Sequence, residues 1–383
     1  MKNQINALTG LRGIAALWVV LLHGGTYVQL DVVAHTWLAN FIGKGWLGVD
    51  LFFILSGFVI SYVHQSDFIV IKSTQLITFL KLRLARIYPA HLVCTLVLIP
   101  VVYAASVFSI YEMPEHMSEQ YSLWPLLHSL TLTHGWGIPN SSGWNVASWS
   151  VGSEWFAYLC FPFIAFGLNR IKSIGNFVLI IIVVFMGMFT LAALSNNFLQ
   201  YNPLEQFTLF RVFSAFLVGC ALFNIHEKMT VHKAFDVLAM ITTLIIIAVC
   251  ILPLSSIYDG LVVICFAFLI LFLSKAQGIY ERLLSTQLMM FLGRVSYSVY
   301  LIHGTVLMVV NQVMSRLMDN SEASLFYLIS FYFVYISASL IAGTMVFKLV
   351  ENPARHYLRK NWLSTPVTKS NSNASSSSIE LNQ

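Results

Sequence analysis

The first apolar stretch of this sequence, TGLRGIAALWVVLLHGG, contains an arginine and a histidine whose spacing suits chemistry on one helix face. Arg12 and His23 are 11 residues apart. At about 100° per residue they share a face, separated by roughly 16 Å along the axis. An imidazole titrates near neutrality and suits general-base catalysis. The alternatives are a hydrogen bond from His23 to a neighbouring helix and, for Arg12, an interfacial anchor.

A carboxylate begins the second apolar stretch, GKGWLGVDLFFILSGFVIS. We expect Asp50 to lie at a depth comparable with His23, where a carboxylate can orient and stabilise an imidazole as in a catalytic triad. Asp is also common as a helix N-cap, which is the alternative interpretation of Asp50. The two interpretations carry equal weight on the sequence alone.

Two arginines three residues apart precede the third apolar stretch, in FLKLRLARIYPAH. Arg83 and Arg86 are neighbours on a helix surface. Their guanidinium groups are suited to binding phosphates in two-pronged contacts. A basic cluster that contacts anionic lipid headgroups is the competing interpretation.

A polar stripe follows one face of the fourth apolar stretch, ASWSVGSEWFAYLCFP, where Ser150, Glu154 and Tyr158 recur every four residues. A carboxylate in a membrane faces a cavity or a partner rather than lipid, and Arg211 is a candidate partner for Glu154. His303, in YSVYLIHG, is a further embedded polar residue, for which a structural hydrogen bond is favoured.

The elements that must position these residues are membrane-spanning helices. The 383 residues are 58% hydrophobic and only 10% charged, against about 25% charged in an average protein. Apolar runs of about 20 residues match the thickness of a bilayer. We predict an all-α polytopic membrane protein of about ten spans, at residues 13–31, 46–64, 88–110, 148–168, 174–194, 207–225, 235–253, 257–274, 289–313 and 324–349.

The distribution of Lys and Arg predicts that both termini are cytosolic. With this orientation all but three of the 21 basic residues lie on the inner side, the exceptions being Lys44, Arg211 and Arg316. The segment 111–147 has no Lys or Arg, as expected of an outer loop. The net charge of +5 is thereby explained without nucleic-acid binding. We expect one transmembrane domain, 1–360, and a disordered polar tail, 361–383.

The five cysteines lie within or beside apolar runs and none has CxxC spacing. This pattern is typical of small packing residues. We expect neither a disulfide nor a metal site.

Together these groups resemble the acyltransferase-3 family of membrane O-acyltransferases, whose members modify bacterial surface polysaccharides and other acceptors. The resemblance runs from about residue 5 to residue 356. It is carried by Arg12 and His23, by Asp50 and Ser56, by Arg83 and Arg86, by Trp149, Ser150, Glu154 and Tyr158, and by His303 and Glu351 in YSVYLIHG and ENPAR.

The resemblance implies an acyl-CoA donor, usually acetyl-CoA, with His23 as the catalytic residue and with Arg12, Arg83 and Arg86 functionally required. The three arginines would bind the donor, whose phosphates lie in the cytosol, and the thioester would reach His23. Asp50 would stabilise the imidazolium. The cavity for the acceptor, a cell-surface or lipid-linked glycan, is expected at Ser150, Glu154, Tyr158 and His303.

The chain is therefore expected in the bacterial inner membrane, with membrane lipid, acyl-CoA and a glycan as partners and no nucleic acid. Some relatives carry a further esterase-like domain, which we expect this chain to lack. The alternative function is a transporter of lipid-linked sugars or other amphiphiles, since polar residues inside spans also serve transport. The sequence shows neither an inverted repeat nor paired broken helices, and this counts against a transporter.

Overall fold

The computed structural model describes residues 5–25, 36–107, 119–137, 143–194, 206–254, 258–317 and 325–363. Within these ranges the regular structure is helical, with no strand. A 3-10 turn, Gln65–Phe68, follows α3, and a π turn, Phe347–Glu351, joins the last two helices. The helices are α1 Asn6–Gly25, α2 Trp37–Gly43, α3 Leu47–His64, α4 Ser73–Val107, α5 Leu123–Leu130, α6 Trp149–Leu168, α7 Ile174–Leu194, α8 Gln206–Lys228, α9 Ala234–Ile251, α10 Asp259–Leu273, α11 Ile279–Leu284, α12 Gln287–Leu317, α13 Leu325–Val346 and α14 Asn352–Leu363.

The predicted all-α polytopic membrane fold is confirmed. Nine helices in the described ranges are long and apolar enough to cross a membrane, and α10 is a shorter apolar helix of 15 residues. Helix α4 begins at Ser73, well before the predicted start of the third span at residue 88. Hydropathy marks the part of a helix that lies in lipid, whereas the basic turns that precede Pro89 are helical without being apolar.

Small residues bring α1 and α12 into close contact. A Cβ atom added at Gly13 would collide with Leu292 and Gly293, and one added at Gly293 would collide with the carbonyl of Thr9. Membrane helices associate through such close backbone approach, because lipid gives apolar side chains little reason to pair. The pairing fixes α1, which carries Arg12 and His23, against the helix that carries His303.

A second close pair is formed by α3 and α8. Gly57 lies against the carbonyl of Phe216, and Gly219 lies against the carbonyl of Ile54. The two pairs are joined where α1 packs on α3. Helices α7, α9 and α13 are less buried. The outward face of α7 is apolar, as lipid contact requires, through Val178, Leu179, Ile182, Val183 and Met186.

The carboxyl-terminal helix continues beyond the predicted domain boundary at residue 360. Helix α14 extends to Leu363, so residues 361–363, which we assigned to the disordered tail, are helical. The rest of that tail, 364–383, lies outside the described residues. Residues 111–118 and 138–142 of the predicted outer loop, which include Glu112 and Glu115, also lie outside them.

Candidate active site

A cavity of about 200 Å³ lies between α1, α3, α4, α6 and α12. Apolar side chains of α3, among them Phe52 and Phe53, form part of its wall. The structure thus brings donor-binding and acceptor-cavity residues, which the sequence analysis assigned to two sites, into one lining. Six of the sequence-predicted residues line it: Arg12, Arg83, Arg86, Ser150, Glu154 and Tyr158.

Glu154 holds the centre of the polar lining. Ser56 Oγ donates a hydrogen bond to Glu154 Oε1 at 2.9 Å, and the hydroxyl of Tyr158 donates to the same oxygen. The carboxylate also attracts the guanidinium groups of Arg12 and Arg83. Arg211, which we considered as its partner, is instead paired with Asp50.

Arg83 keeps part of its hydrogen-bonding capacity for a ligand. Its Nη2 donates to His64 Nε2 at 3.1 Å, and His64 Nδ1 donates in turn to Asp67 Oδ2 at 2.9 Å. Arg83 Nε is buried and has no hydrogen-bond partner among the described residues. A buried donor without a partner is costly, so an incoming acceptor at this position is favoured.

Arg86 is held differently, by an ion pair with Glu351. Glu351 is 1% exposed and also accepts a hydrogen bond from Ser298 Oγ at 2.6 Å. The guanidinium of Arg86 lies over the ring of Tyr297, 5.2 Å from its centroid. Arg83 and Arg86 therefore differ, because the positive charge of Arg86 is already compensated by Glu351. We call the end of the cavity with Arg12, Arg83 and Arg86 the basic end.

His23 and His303 lie together near the other end of α1, which we call the histidine end. Their ring centroids are 4.9 Å apart. His23 Nδ1 lies 2.9 Å from the carbonyl oxygen of Val19, and His303 Nδ1 lies 2.5 Å from that of Tyr300. Because a carbonyl oxygen only accepts, Nδ1 of each ring carries a proton, and in a neutral ring Nε2 is then the nitrogen with the lone pair. Both rings are thus held in the form that can take a proton at Nε2.

Tyr300 connects the cavity to the histidine end. It lines the cavity, where its hydroxyl shares a 2.8 Å hydrogen bond with Ser150 Oγ. Its ring centroid lies 5.7 Å from that of His303. The cavity thus has cations at its basic end, and Tyr300 lies between its lining and the two imidazoles, which are not among the lining residues.

The acyltransferase-3 family, described as an acyltransferase domain, matches residues 5–346. The chain belongs to this family. The predicted resemblance is therefore confirmed over nearly the whole described part of the chain.

Three curated relatives are similar to this chain over part of their length. The acyltransferase MdmB of Streptomyces mycarofaciens is 33% identical over 42% of this chain and 38% of its own. The peptidoglycan O-acetyltransferase OatA of Listeria monocytogenes is 24% identical over 92% of this chain and 56% of its own. The O-acetyltransferase OatA of Staphylococcus aureus is 23% identical over 96% and 60%. The chain thus spans less than two thirds of each relative, and no solved structure matches it.

The fold places Asp50 away from the depth that we predicted for it. Gly45 packs on Trp18 and Leu22, and Gly48 packs on Ala15 and Val19. This register puts Asp50 near the level of Ala15, eight residues and roughly 12 Å below His23 along α1. The expectation that the two lie at a comparable depth is wrong, because the close glycine contacts set how far α3 descends beside α1.

The carboxylate of Asp50 is instead engaged by Arg211 of α8. Arg211 Nε donates to Asp50 Oδ1 at 2.9 Å, and Nη2 donates to Oδ2. Both side chains are fully buried, and the guanidinium lies 4.9 Å from the ring centroid of Trp46. A paired, two-pronged contact of this kind is how a buried carboxylate is tolerated. The ion pair ties α3 to α8, and the carboxylate oxygens of Asp50 already accept hydrogen bonds from Arg211.

The segment before α6 closes the bundle beside the histidine end. Asn145 Nδ2 donates to the carbonyl of Leu301 at 2.7 Å, two residues before His303. His134 lies 2.8 Å from the carbonyl of Ser148 through Nε2 and stacks on His91. Burial, followed by the nearby His91, lowers the pKa of His134 to about 3. His134 is therefore a neutral side chain that links the segment before α6 to His91 of α4.

Sequence analysis missed two tyrosines of α12 that line the cavity. Tyr297 donates a hydrogen bond to the carbonyl of Ile87 at 2.7 Å and supports Arg86, while Tyr300 leads to His303. Their spacing was the available signal, since Tyr300 is three residues from both Tyr297 and the embedded His303 and is a neighbour of each on the helix surface.

Proposed function

We propose that this acyltransferase transfers an acyl group, with acetyl as the expected case, from cytosolic acyl-CoA to a hydroxyl of a cell-surface or lipid-linked glycan. The observation that carries the proposal is the single cavity with arginines at its basic end and a link through Tyr300 to His23 and His303. Family membership and the O-acetyltransferase names of two relatives support it.

The orientation of the protein follows from its charges. Lys and Arg favour the cytosolic side, which places the basic end there and the histidine end in the outer half. Two of the three basic residues left outside are neutralised by contacts within the bundle: Lys44 pairs with Asp259 at 2.8 Å, and Arg211 pairs with Asp50. Because the charges of Lys44 and Arg211 are compensated within the bundle, their location on the outer side does not argue against cytosolic termini.

The cavity suits the donor arm better than the acceptor. Arg83 and Arg12 would bind phosphate at the basic end, and the apolar wall near Phe52 would contact the pantetheine chain. Ser150, Glu154 and Tyr158 line the same cavity as the arginines. We therefore place these three along the donor arm and place the acceptor beyond Tyr300, next to the histidines.

His23 is the proposed general base. Bound acyl-CoA supplies an activated thioester carbonyl. His23 Nε2 takes the proton of the acceptor hydroxyl as that oxygen forms a bond to the carbonyl carbon. His23 then returns the proton to the sulfur as the carbon–sulfur bond breaks, so that CoA leaves as a thiol. The step needs no further reactant.

His303 takes the supporting role that we first assigned to Asp50. Its Nε2 is buried and has no hydrogen-bond partner among the described residues. A neutral His303 therefore offers a lone pair to the imidazolium of His23 when His23 holds the proton. Positioned acceptors of this kind lower the cost of charge that develops during a reaction.

The experiment is acyl transfer by the whole chain in its membrane. Cells that lack the protein are complemented with the wild type or with His23→Ala, given labelled acetate, and their surface glycans are analysed for base-labile acetyl groups. We expect label with the wild type and none with His23→Ala at equal protein level. Equal acetylation in cells with and without the protein, together with no release of CoA from acetyl-CoA by the purified protein, would overturn the proposal.

A further inference from the structure

A second group of arginines lies beside the basic end, on the carboxyl-terminal helix. Helix α14 follows the π turn that contains Glu351, and it packs against α4. The ion pair of Glu351 with Arg86 anchors the start of α14. The position of α14 relative to the cavity is therefore fixed by a buried contact.

Arg355 and Arg359 are four residues apart on α14 and so share a face. Arg355 is half-buried and Arg359 is exposed. Arg359 is close enough to Arg83 to repel its positive charge, and it disfavours a proton on His64. Arg355 likewise repels Arg83 and Arg86. The face of α14 with Arg355 and Arg359 thus borders the basic end.

This concentration of positive charge is only partly compensated within the described residues. Glu351 pairs with Arg86 and also attracts Arg355 at longer range, whereas Arg355 and Arg359 form no ion pair or hydrogen bond there. Guanidinium groups that outnumber the nearby carboxylates are stabilised by an anion, above all by phosphate, which they bind in two-pronged contacts. Only three arginines line the cavity, so a ligand inside it would not contact Arg355 or Arg359.

We propose that Arg355 and Arg359, with Arg83, form a subsite for the phosphates at the nucleotide end of the acyl-thioester donor. This inference rests on the proposed use of acyl-CoA. The cavity is small, at about 200 Å³, and partly apolar, which suits the uncharged arm of the donor, while the highly charged nucleotide end would remain outside it. The α14 arginines would select a donor with a nucleotide end over a short acyl thioester.

The test is CoA binding by the full chain in nanodiscs of zwitterionic lipid, measured by calorimetry. The variants are Arg355→Gln, Arg359→Gln and Arg359→Lys. The matched control is Lys360→Gln, which removes the same charge from an exposed neighbour of Arg359. We expect the Kd for CoA to rise about tenfold in each Gln variant, as for loss of a charge-assisted hydrogen bond. Arg359→Lys should recover part of the affinity, and Lys360→Gln should bind as the wild type does.

A competing probe separates the nucleotide end from the arm. The nucleotide fragment adenosine 3′,5′-bisphosphate should displace CoA from the wild type and do so more weakly in Arg359→Gln. Unchanged thermal unfolding of each variant without CoA shows that the fold is intact. A Gln variant that fails this control is replaced by Arg355→Lys or Arg359→Lys, which keeps the charge but lacks the planar fork and should bind CoA less tightly than the wild type does.

The outcomes distinguish this inference from the proposed function. If the wild type binds CoA and both Gln variants bind it equally well, the subsite is wrong while the donor assignment stands. If the wild type binds no CoA, the proposed function itself fails. Anionic lipid is the other source of phosphate: Gln variants that lose only their affinity for vesicles of anionic lipid, with CoA binding unchanged, would also overturn the inference.

Discussion

The imidazole rings of His23 and His303 lie 4.9 Å apart between their centroids, each held at Nδ1 by a backbone carbonyl of its own helix. The contact exists because α1 and α12 approach closely at Gly13 and Gly293. It gives the proposed base a second imidazole as its neighbour.

The first prediction concerns His303. His303→Phe keeps a ring of similar size and removes the lone pair proposed to stabilise the His23 imidazolium. Loss of a hydrogen bond to a charged group costs about 1.5–3 kcal/mol, which is roughly 10- to 150-fold in rate. Turnover of acetyl-CoA by purified His303→Phe should fall by that factor, with the protein still in the membrane. Wild-type turnover would leave His303 a packing residue.

The second prediction concerns Asp50 and Arg211. Removing one partner of a buried ion pair leaves the other charge unpaired, at a cost of about 3–5 kcal/mol. Asp50→Asn and Arg211→Gln should each lower the yield of folded protein in detergent-solubilised membranes. The double variant should recover much of it.

Activity of the double variant distinguishes a scaffold from a catalytic role. Per folded molecule, Asp50→Asn/Arg211→Gln should turn over acetyl-CoA at close to the wild-type rate. A folded double variant without activity would contradict the scaffold assignment and return Asp50 to the chemistry.

These residues show which features of the fold and the site could be predicted from the sequence. Hydropathy and basic-residue counts predicted the helices, and helical spacing placed Arg12, Glu154 and Tyr158 on faces that meet in one cavity. Such spacing describes a single helix. It does not determine which distant helix supplies a partner. The sequence therefore suggested Arg211 as a partner of Glu154, whereas in the fold Arg211 forms an ion pair with Asp50.

The remaining differences have the same origin. The depth of Asp50 depends on the register between α1 and α3, which the contacts of Gly45 and Gly48 set. The compensation of Arg86 depends on Glu351, 265 residues later. The position of Tyr300 between the cavity and His303 depends on the packing of α12 against α6, which helical spacing alone does not predict.

The third prediction separates Arg83 from Arg86. Arg83→Ala should raise the KM for acyl-CoA, by a factor that corresponds to about 1.5–3 kcal/mol, with little effect on folded yield. Arg83→Lys should rescue only in part, because it lacks the planar fork. Arg86→Ala should reduce folded yield, since it leaves the buried carboxylate of Glu351 unpaired.

Donor kinetics decide whether these residues act on the donor at all. Initial rates against acyl-CoA concentration are measured for the single variants and for Arg83→Ala/Arg86→Ala. Unchanged donor kinetics in the double variant would assign both arginines to anionic lipid headgroups.

The fourth prediction concerns topology. A reporter that is active only outside the cytosol should work when inserted in the segment 111–147 and fail when fused after Ser364. The reason is the excess of Lys and Arg on the proposed cytosolic side. A reporter active at the carboxyl terminus would reverse the membrane orientation and separate the basic end from cytosolic CoA.

The most direct measurement of the central claim is single-turnover acyl transfer by His23→Gln. A glutamine keeps a hydrogen-bonding side chain but cannot take up the hydroxyl proton. With correct membrane insertion and CoA binding as controls, the rate of acyl transfer should fall by about 10²–10⁴, the usual contribution of a positioned acid–base group. A well-folded His23→Gln protein that binds CoA and transfers the acyl group at near the wild-type rate would contradict the account.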